Sequence, residues 1–536
     1  MHPHFSIRHR EPLLALLLAV VFSAASPAPA QAQVVFPTPV PAPELEGGTA
    51  WINTGKPLKI KELRGKIVLL DFWTFCCINC MHIMPDLLKL EEKYKNELVV
   101  IGVHSGKFDN EKITENIRKA ALRYELRHPI VNDADAKIWK AYGCEWWPTI
   151  AIIDPEGNIV AGSPGETNFS IKKTDAILAS LVKKHRANKT LDETPLRFDT
   201  VKFRDGPDTP LYFPGKIVVD RKGQRLLIAD STHHRIIITD LNGKKIAIVG
   251  TGQPGNRDGA FEQAQFDDPQ GMAVFGDTVY VADRKNNVIR WLDLKARTVR
   301  TVPGTTRYIT VNNTPLAATP WDVWLEGPRL FVAMSGSHQI WVLDIKSGKF
   351  TLFAGDGDEK LQDGPRFSSK FAQPSGLTSD GKFLYVADCE ASAIRRIPLD
   401  GIGPVQTLVG RGLFDFGDRD GPGQVADMNE RKTKEAMLQH AVGVSYEDGM
   451  LYVADTYNSK IKTIEVATGL VTTLVGDSEN KGPNRVFNEP TGLNVVDGKI
   501  YVADTNAHRI RVVDLKTKEV STMELQDVPP VEPAKK

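Results

Sequence analysis

The chain has 536 residues, 41% of them hydrophobic and 25% charged, with 67 Lys and Arg against 66 Asp and Glu. These proportions exclude general disorder, and a net charge of +1 argues against nucleic acid as the main partner, because such binding needs clustered cations. The length predicts two to four domains.

Residues 1–32 read as a signal peptide. MHPHFSIRHR is a basic start, PLLALLLAVVFSAA is an apolar run too short to span a bilayer, and Ala30-Gln31-Ala32 offers small residues for cleavage. The expectation is an exported protein, periplasmic or extracellular, with no stable membrane span. In such an oxidising compartment disulfide chemistry is the natural use of cysteine. Residues 33–48, with VVFPTPVPAPELEGG, read as a Pro-rich linker.

Residues 49–190 alternate in period. KIVLLDFW (66–73), ELVVIGVHS (97–105) and HPIVND (128–133) predict strands. CMHIMPDLLKLEEKY (80–94), ITENIRKAALRYEL (113–126), AKIWKAYG (136–143) and IKKTDAILASLVKKH (171–185) predict helices, and TIAIIDPEGNIVAG (149–162) predicts a hairpin. Strands interleaved with helices predict an α/β sheet of modest size. Residues 191–205 read as a second linker.

Residues 206–525 change texture: helical periods give way to short strands between Gly and Asp turns. One unit recurs six times: LLIADSTHHRI, VYVADRKNNVI, LFVAMSGSHQI, LYVADCEASAI, LYVADTYNSKI and IYVADTNAHRI. Its marker positions, Asp230, Asp283, Met334, Asp388, Asp455 and Asp504, lie 53, 51, 54, 67 and 49 residues apart. Four strands per unit at this spacing predict a six-bladed all-β propeller, with residues 418–437 as an insertion and 526–536 as a disordered tail.

Two resemblances rest on these residues. Asp71-Phe72-Trp73, Cys77-x-x-Cys80, Pro85, Tyr142-Gly143 and Trp147-Pro148-Thr149 stand in the order of the thioredoxin superfamily, especially its exported TlpA/ResA-like branch. The six units resemble NHL repeats, and the combination, with its CCINC string, is similar to thioredoxin-like proteins that carry them. Animal members of that group have a further β-rich C-terminal domain, whereas this chain stops soon after its sixth repeat and begins with a signal peptide.

A Cys-x-x-Cys at a strand–helix junction puts the first sulfur at a helix N-terminus, where free N–H groups and the dipole favour a thiolate. Cys77 is therefore the expected nucleophile and Cys80 the resolving thiol, close enough to release a mixed disulfide. The resemblance implies that Asp71 is the buried acid accepting the proton of Cys80, and burial should raise its pKa. It also implies a cis Pro148 with a backbone free to pair with substrate, and Trp73 and Trp147 are expected to shape that contact. Cys76, where the family usually has an aromatic residue, is expected at the surface. Cys76 and Cys144 are candidate accessory thiols, although a cysteine placed like Cys144 is more often buried packing. A permanent disulfide, or a metal clip from Cys76, Cys77, Cys80 and His82, are the competing readings. Neither a metal nor another cofactor is expected.

In the propeller, the recurring Asp and the histidines 234, 338 and 508 read as turn-tying residues rather than ligands. The residues entering the innermost strands, Phe213, Asp268, Thr319, Gln373, His440 and Glu489, should line one mouth of the channel. Asp268, His440 and Glu489 are the candidates there for a cation or polar ligand. The functional expectation is an exported thiol–disulfide oxidoreductase with a protein thiol or disulfide client, a redox partner, and a propeller that binds protein. The alternatives are a binding scaffold for protein or glycan with a structural cysteine pair, and a metal-dependent propeller lyase or lactonase.

Overall fold

A computed structural model describes residues 34–198, 209–311, 314–424, 435–477 and 485–531. The expected signal peptide and part of the expected insertion lie outside the described residues. The chain divides into two compact units, residues 1–201 and 202–536.

The first unit contains β1 (Val34–Pro41), β2 (Ala50–Ile52), β3 (Ile67–Trp73), α1 (Ile78–Lys93), β4 (Leu98–His104), α2 (Thr114–Arg123), β5 (Ile130–Asn132), α3 (Lys137–Ala141), β6 (Thr149–Ile153), β7 (Asn158–Pro164) and α4 (Ile171–Ala187). They form one mixed sheet in the order β1-β7-β6-β3-β4-β5-β2. The central β3 is buried along its whole length, parallel to β4 and antiparallel to β6. Its apolar run is continuous because both faces are covered. Ile67 and Leu69 pack with Leu87 of α1 and Leu178 of α4, while Val68, Leu70 and Phe72 pack on the opposite face with Ile138 and Tyr142.

The Pro-rich segment is not a free tether. β1 pairs antiparallel with β7, with its register broken between Val35 and Val40, where Pro37 and Pro39 fall. Proline is tolerated there because an edge strand has one row of N–H groups without a ladder partner to supply. The start of the second expected linker is also engaged, since buried Lys66 donates from Nζ to the carbonyls of Asp192 (2.5 Å) and Thr194 (2.6 Å).

The second unit is six four-stranded antiparallel sheets, each from one continuous stretch of chain, as the repeat predicts. Blades two and five each gain a short fifth strand, and a hairpin of residues 308–317 leads into blade three. The recurring Asp, present in five of the six blades, is fully buried. One oxygen accepts the N–H that precedes the innermost strand: Tyr212 for Asp230, Asp267 for Asp283, Ala372 for Asp388, Gln439 for Asp455 and Asn488 for Asp504. The other oxygen faces Arg235, Arg290, Arg395, Lys462 or Arg509. Blade three has Met334 instead and lacks this carboxylate.

A second set of contacts staples each blade to the next. His234 accepts the N–H of Asp268, Asn287 that of Thr319, His338 that of Gln373, Ser392 that of His440 and Ser459 that of Glu489. His508 of blade six accepts the N–H of Phe213 at 3.0 Å, which closes the ring. The six donors all have positive φ, between 48° and 61°, a conformation residues other than glycine adopt only when their surroundings impose it.

Buried polar contacts cross between blades at the centre of the ring. Lys216 of blade one donates to the Val442 carbonyl of blade five at 2.9 Å and lies 3.4 Å from Asp322 of blade three, whose carboxylate also accepts the Leu377 N–H of blade four. The expected disordered tail is corrected in part: Gln526 exchanges hydrogen bonds with Gly243 and Lys245, and the Pro529 carbonyl accepts from Arg235. Backbone groups that would otherwise stay unpaired at the edge of blade one account for this.

Arg395 is wholly buried and held at 3.0 Å by Asp388. Asp388→Ala is expected to cost about 3–5 kcal/mol in chemical denaturation, because it strands a buried guanidinium. A loss below about 1 kcal/mol would mean that Asp363 alone neutralises it.

Candidate active site

The junction of β3 and α1 sets the geometry. Cys77 is the N-cap of α1, and its Sγ accepts the N–H of Cys80 at 3.2 Å. The first sulfur therefore sits where the helix offers unsatisfied donors, and the second lies one turn along on the inward face. Cys77 is 7% exposed and Cys80 fully buried. Burial pushes the Cys80 thiol up to about 11, with Asp71 adding to the effect and contact with Cys77 opposing it.

Asp71 is on β3, on the face shared with Ile67, Leu69 and α1, and is 1% exposed. Burial raises it to about 7, against the pull of His128, while Glu91 pushes the same way as burial. A carboxyl poised at this value, coupled to the Cys80 thiol, can accept a proton near neutrality.

Pro148 follows a cis peptide bond, as expected. Thr149 pairs with Phe72 in the β3–β6 register, so Pro148 lies at the same end of the sheet as Cys77. Trp147 is half-buried and packs on Trp139 with ring centroids 4.6 Å apart, leaving Trp146 as the exposed member of the pair.

Three expectations need correction. Trp73 does not face substrate: it is fully buried, edge-on to His104 at 4.7 Å, because odd-numbered positions of β3 point under α1. Cys76 is buried rather than at the surface, since its N–H is bound by Glu111 at 2.8 Å. Cys144 is in the apolar cluster on the opposite face from Asp71 and is driven strongly upward by burial, with Asp133 adding to it, so it is core packing. His82, which the metal-clip reading needs, bonds Glu166 at 2.8 Å.

Glu111 went unnoticed in the sequence. It is fully buried and accepts the N–H groups of Cys76, Lys107 and Phe108. Burial raises its pKa, and these hydrogen bonds work against that rise. The Phe75 N–H meets His104 at 3.3 Å and the Phe75 carbonyl meets the Tyr124 hydroxyl at 3.0 Å, so the turn before Cys77 is fixed from three elements. The sequence shows only a loop acid in DNEK, with no periodicity to mark it.

The six residues expected at the propeller mouth occupy equivalent buried positions, one per blade. Asp268 is neutralised by Arg284 and accepts a hydrogen bond from the Gln270 amide, whereas His440 stacks on Tyr457 at 4.3 Å and lies 3.9 Å from Glu390. Glu489 is bound through its N–H to Ser459. The histidines 234, 338 and 508 are acceptors in the inter-blade staples, and burial lowers His234 to about 4. Among the described residues, no group of three or more His, Cys, Asp and Glu is placed to hold a metal ion.

Residues 65–159 match the family described as thioredoxin-like, and residues 487–513 match the NHL repeat. The chain is 40% identical over 500 residues to NHL repeat-containing protein 2 of Bos taurus, covering 84% of this chain and 66% of that protein. It therefore spans slightly under two thirds of that relative's length. It is also 40% identical to the chloroplastic Protein SUPPRESSOR OF QUENCHING 1 of Arabidopsis thaliana, over 81% of this chain and 42% of that protein. The first unit alone is 27% identical to the thiol-disulfide oxidoreductase YkuV of Bacillus subtilis, over 26% of this chain and 93% of the relative. The chain joins a thioredoxin-like domain, related to thiol-disulfide oxidoreductases, to a six-bladed NHL-repeat propeller.

Proposed function

We propose that this protein is an exported thiol–disulfide oxidoreductase acting on a protein client, with the propeller as the client- or partner-binding module. The observation that carries the reading is the placing of Cys77 at the helix cap with Cys80 sealed behind it over Asp71. Cys77 thiolate attacks a client disulfide, forming a Cys77–client bond and releasing one client thiolate. Cys80 gives its proton to Asp71 and attacks Cys77 Sγ; the intramolecular disulfide forms and the second client sulfur leaves reduced. The reverse sequence oxidises a client dithiol. The basic, apolar N-terminal run supports export to the periplasm or outside the cell, and no helix among the described residues is long and apolar enough to cross a membrane.

Cys80→Ser in the full chain is expected to accumulate client proteins bound through Cys77, released by reductant and absent from Cys77→Ser. Recovering no adduct from the exported fraction would overturn the exchange reading. Asp71 supplies a separate test. Its folded-state value lies above the unfolded one, so its contribution to stability is full at low pH and disappears as pH rises through about 7. Asp71→Asn is therefore expected to be more stable than the wild type above pH 7, by up to about 4 kcal/mol, and to have no such advantage below pH 4. Urea denaturation at pH 4 and pH 8.5 checks the sign, and the same variant should slow the Cys80 step.

A further inference from the structure

Behind Asp71 lies a buried polar pair that exchange through Cys77 and Cys80 does not use. His128, just ahead of β5, is 3% exposed, and its Nδ1 is 3.2 Å from Oε2 of Glu91 on α1. Facing a carboxylate, Nδ1 carries the hydrogen, which leaves Nε2 as the acceptor. Nε2 is buried and meets no hydrogen-bond partner, and the same holds for Oδ1 of Asp71. Two orphaned polar atoms in one core are costly unless they serve each other or a shared proton.

Gly102 explains how they come to face one space. It pairs in parallel register with Asp71 on one side and with Ile130 on the other, so its missing side chain would project on the same face as Asp71. A Cβ there would lie 3.4 Å from His128 Nε2 and 2.8 Å from Trp73 Nε1. The space above Gly102 is thus bordered by the imidazole, the indole and the Asp71 strand. From α1, Cys80 and Glu91 face the same region; Glu91 is 24% exposed along its side chain and reaches solvent.

We propose that His128, oriented by Glu91, is the proton-exchange partner of Asp71: it takes the proton that Asp71 receives from Cys80 and passes it to solvent at Glu91. The proposal rests on the exchange reading and extends it by one step. Cys80 Sγ–H gives its proton to the Asp71 carboxylate as the Cys77–Cys80 bond forms. The protonated carboxyl yields that proton to Nε2, the Nδ1 proton leaves through the Glu91 carboxylate, and the neutral imidazole is restored. No oxidant beyond the disulfide being reduced is required. The electrostatics agree: burial disfavours a charged His128, yet Glu91 and then Asp71 outweigh it and leave its pKa raised.

The test uses the full chain with His128→Gln and Glu91→Gln, the latter keeping the proposal testable if the former does not fold. Two readouts apply. With 5,5′-dithiobis(2-nitrobenzoate), Cys77 releases the first thionitrobenzoate and Cys80 the second. The second phase is expected to slow about tenfold at pH 7 in His128→Gln, with the first unchanged. Infrared titration of the Asp71 carboxyl, identified by its loss in Asp71→Asn, should show the midpoint rising by about one unit when the imidazole that accepts its proton is removed. In Asp71→Asn, adding His128→Gln should slow the second phase no further. Folded variants in which the midpoint and the second phase both stay in place, or whose effects multiply with Asp71→Asn, overturn the proposal. A wild type that never releases a second thionitrobenzoate defeats the exchange reading instead, and the infrared titration still decides whether His128 and Asp71 are coupled.

Discussion

Everything reactive in the first unit depends on a carboxyl and a thiol shut away from water together. Cys80 and Asp71 are both closed off beneath α1, so neither can ionise cheaply, and a single proton passing between them costs less than charging either alone. The fully buried central strand β3, apolar but for Asp71, supplies the low dielectric that gives this coupling its strength. The helix cap supplies the opposite environment for Cys77, whose sulfur receives the backbone N–H of Cys80 itself. One turn of helix separates a site that favours thiolate from one that opposes it, and the proposed exchange draws on that asymmetry to assign attack to Cys77 and resolution to Cys80.

The propeller uses buried charge for a different end. Three of its recurring carboxyls are also fully buried and raised, Asp283 to about 7 and Asp388 and Asp455 to about 6, chiefly by burial. Each, however, is held at a turn by a backbone N–H and opposed by a buried cation. They orient strands rather than move protons. A perturbed carboxyl repeated blade after blade is architecture, and one that occurs once beside a cysteine is chemistry. The Lys216–Asp322 contact across the centre follows the same architectural logic.

The α/β order of the first unit and the six blades of the second were legible because both rest on periodicity, and the recurring Asp read correctly as a turn-tying group. Cys77, Cys80, Asp71 and Pro148 were legible because they stand in a motif. The misreadings share a physical origin. The Pro-rich segment is a sheet edge because β7 offered a partner, which composition does not reveal. Trp73 and Cys76 are buried because α1, Glu111 and His104 cover them; Glu111 stands 35 positions after Cys76 and His104 31 after Trp73, with no pattern of their own to announce the contact. Glu91 and His128 were missed for the same reason: one reads as a helix surface acid and the other as a strand-flanking histidine until the sheet brings them together.

The double cysteine resolves along these lines. Cys76 and Cys77 are adjacent in sequence but face different constraints. The backbone of Cys76 is clamped by Glu111, and the turn on either side of Phe75 is held by His104 and Tyr124. Those bonds set the direction in which the chain enters α1, and so place the sulfur of Cys77 at the cap. A loose entry would let either sulfur reach the helix end; a fixed one admits only the second. Burying Glu111 costs the domain free energy, and three backbone N–H groups offset part of that cost. The remaining penalty is tolerated because the geometry it enforces separates a reactive cysteine from its neighbour by a single peptide bond.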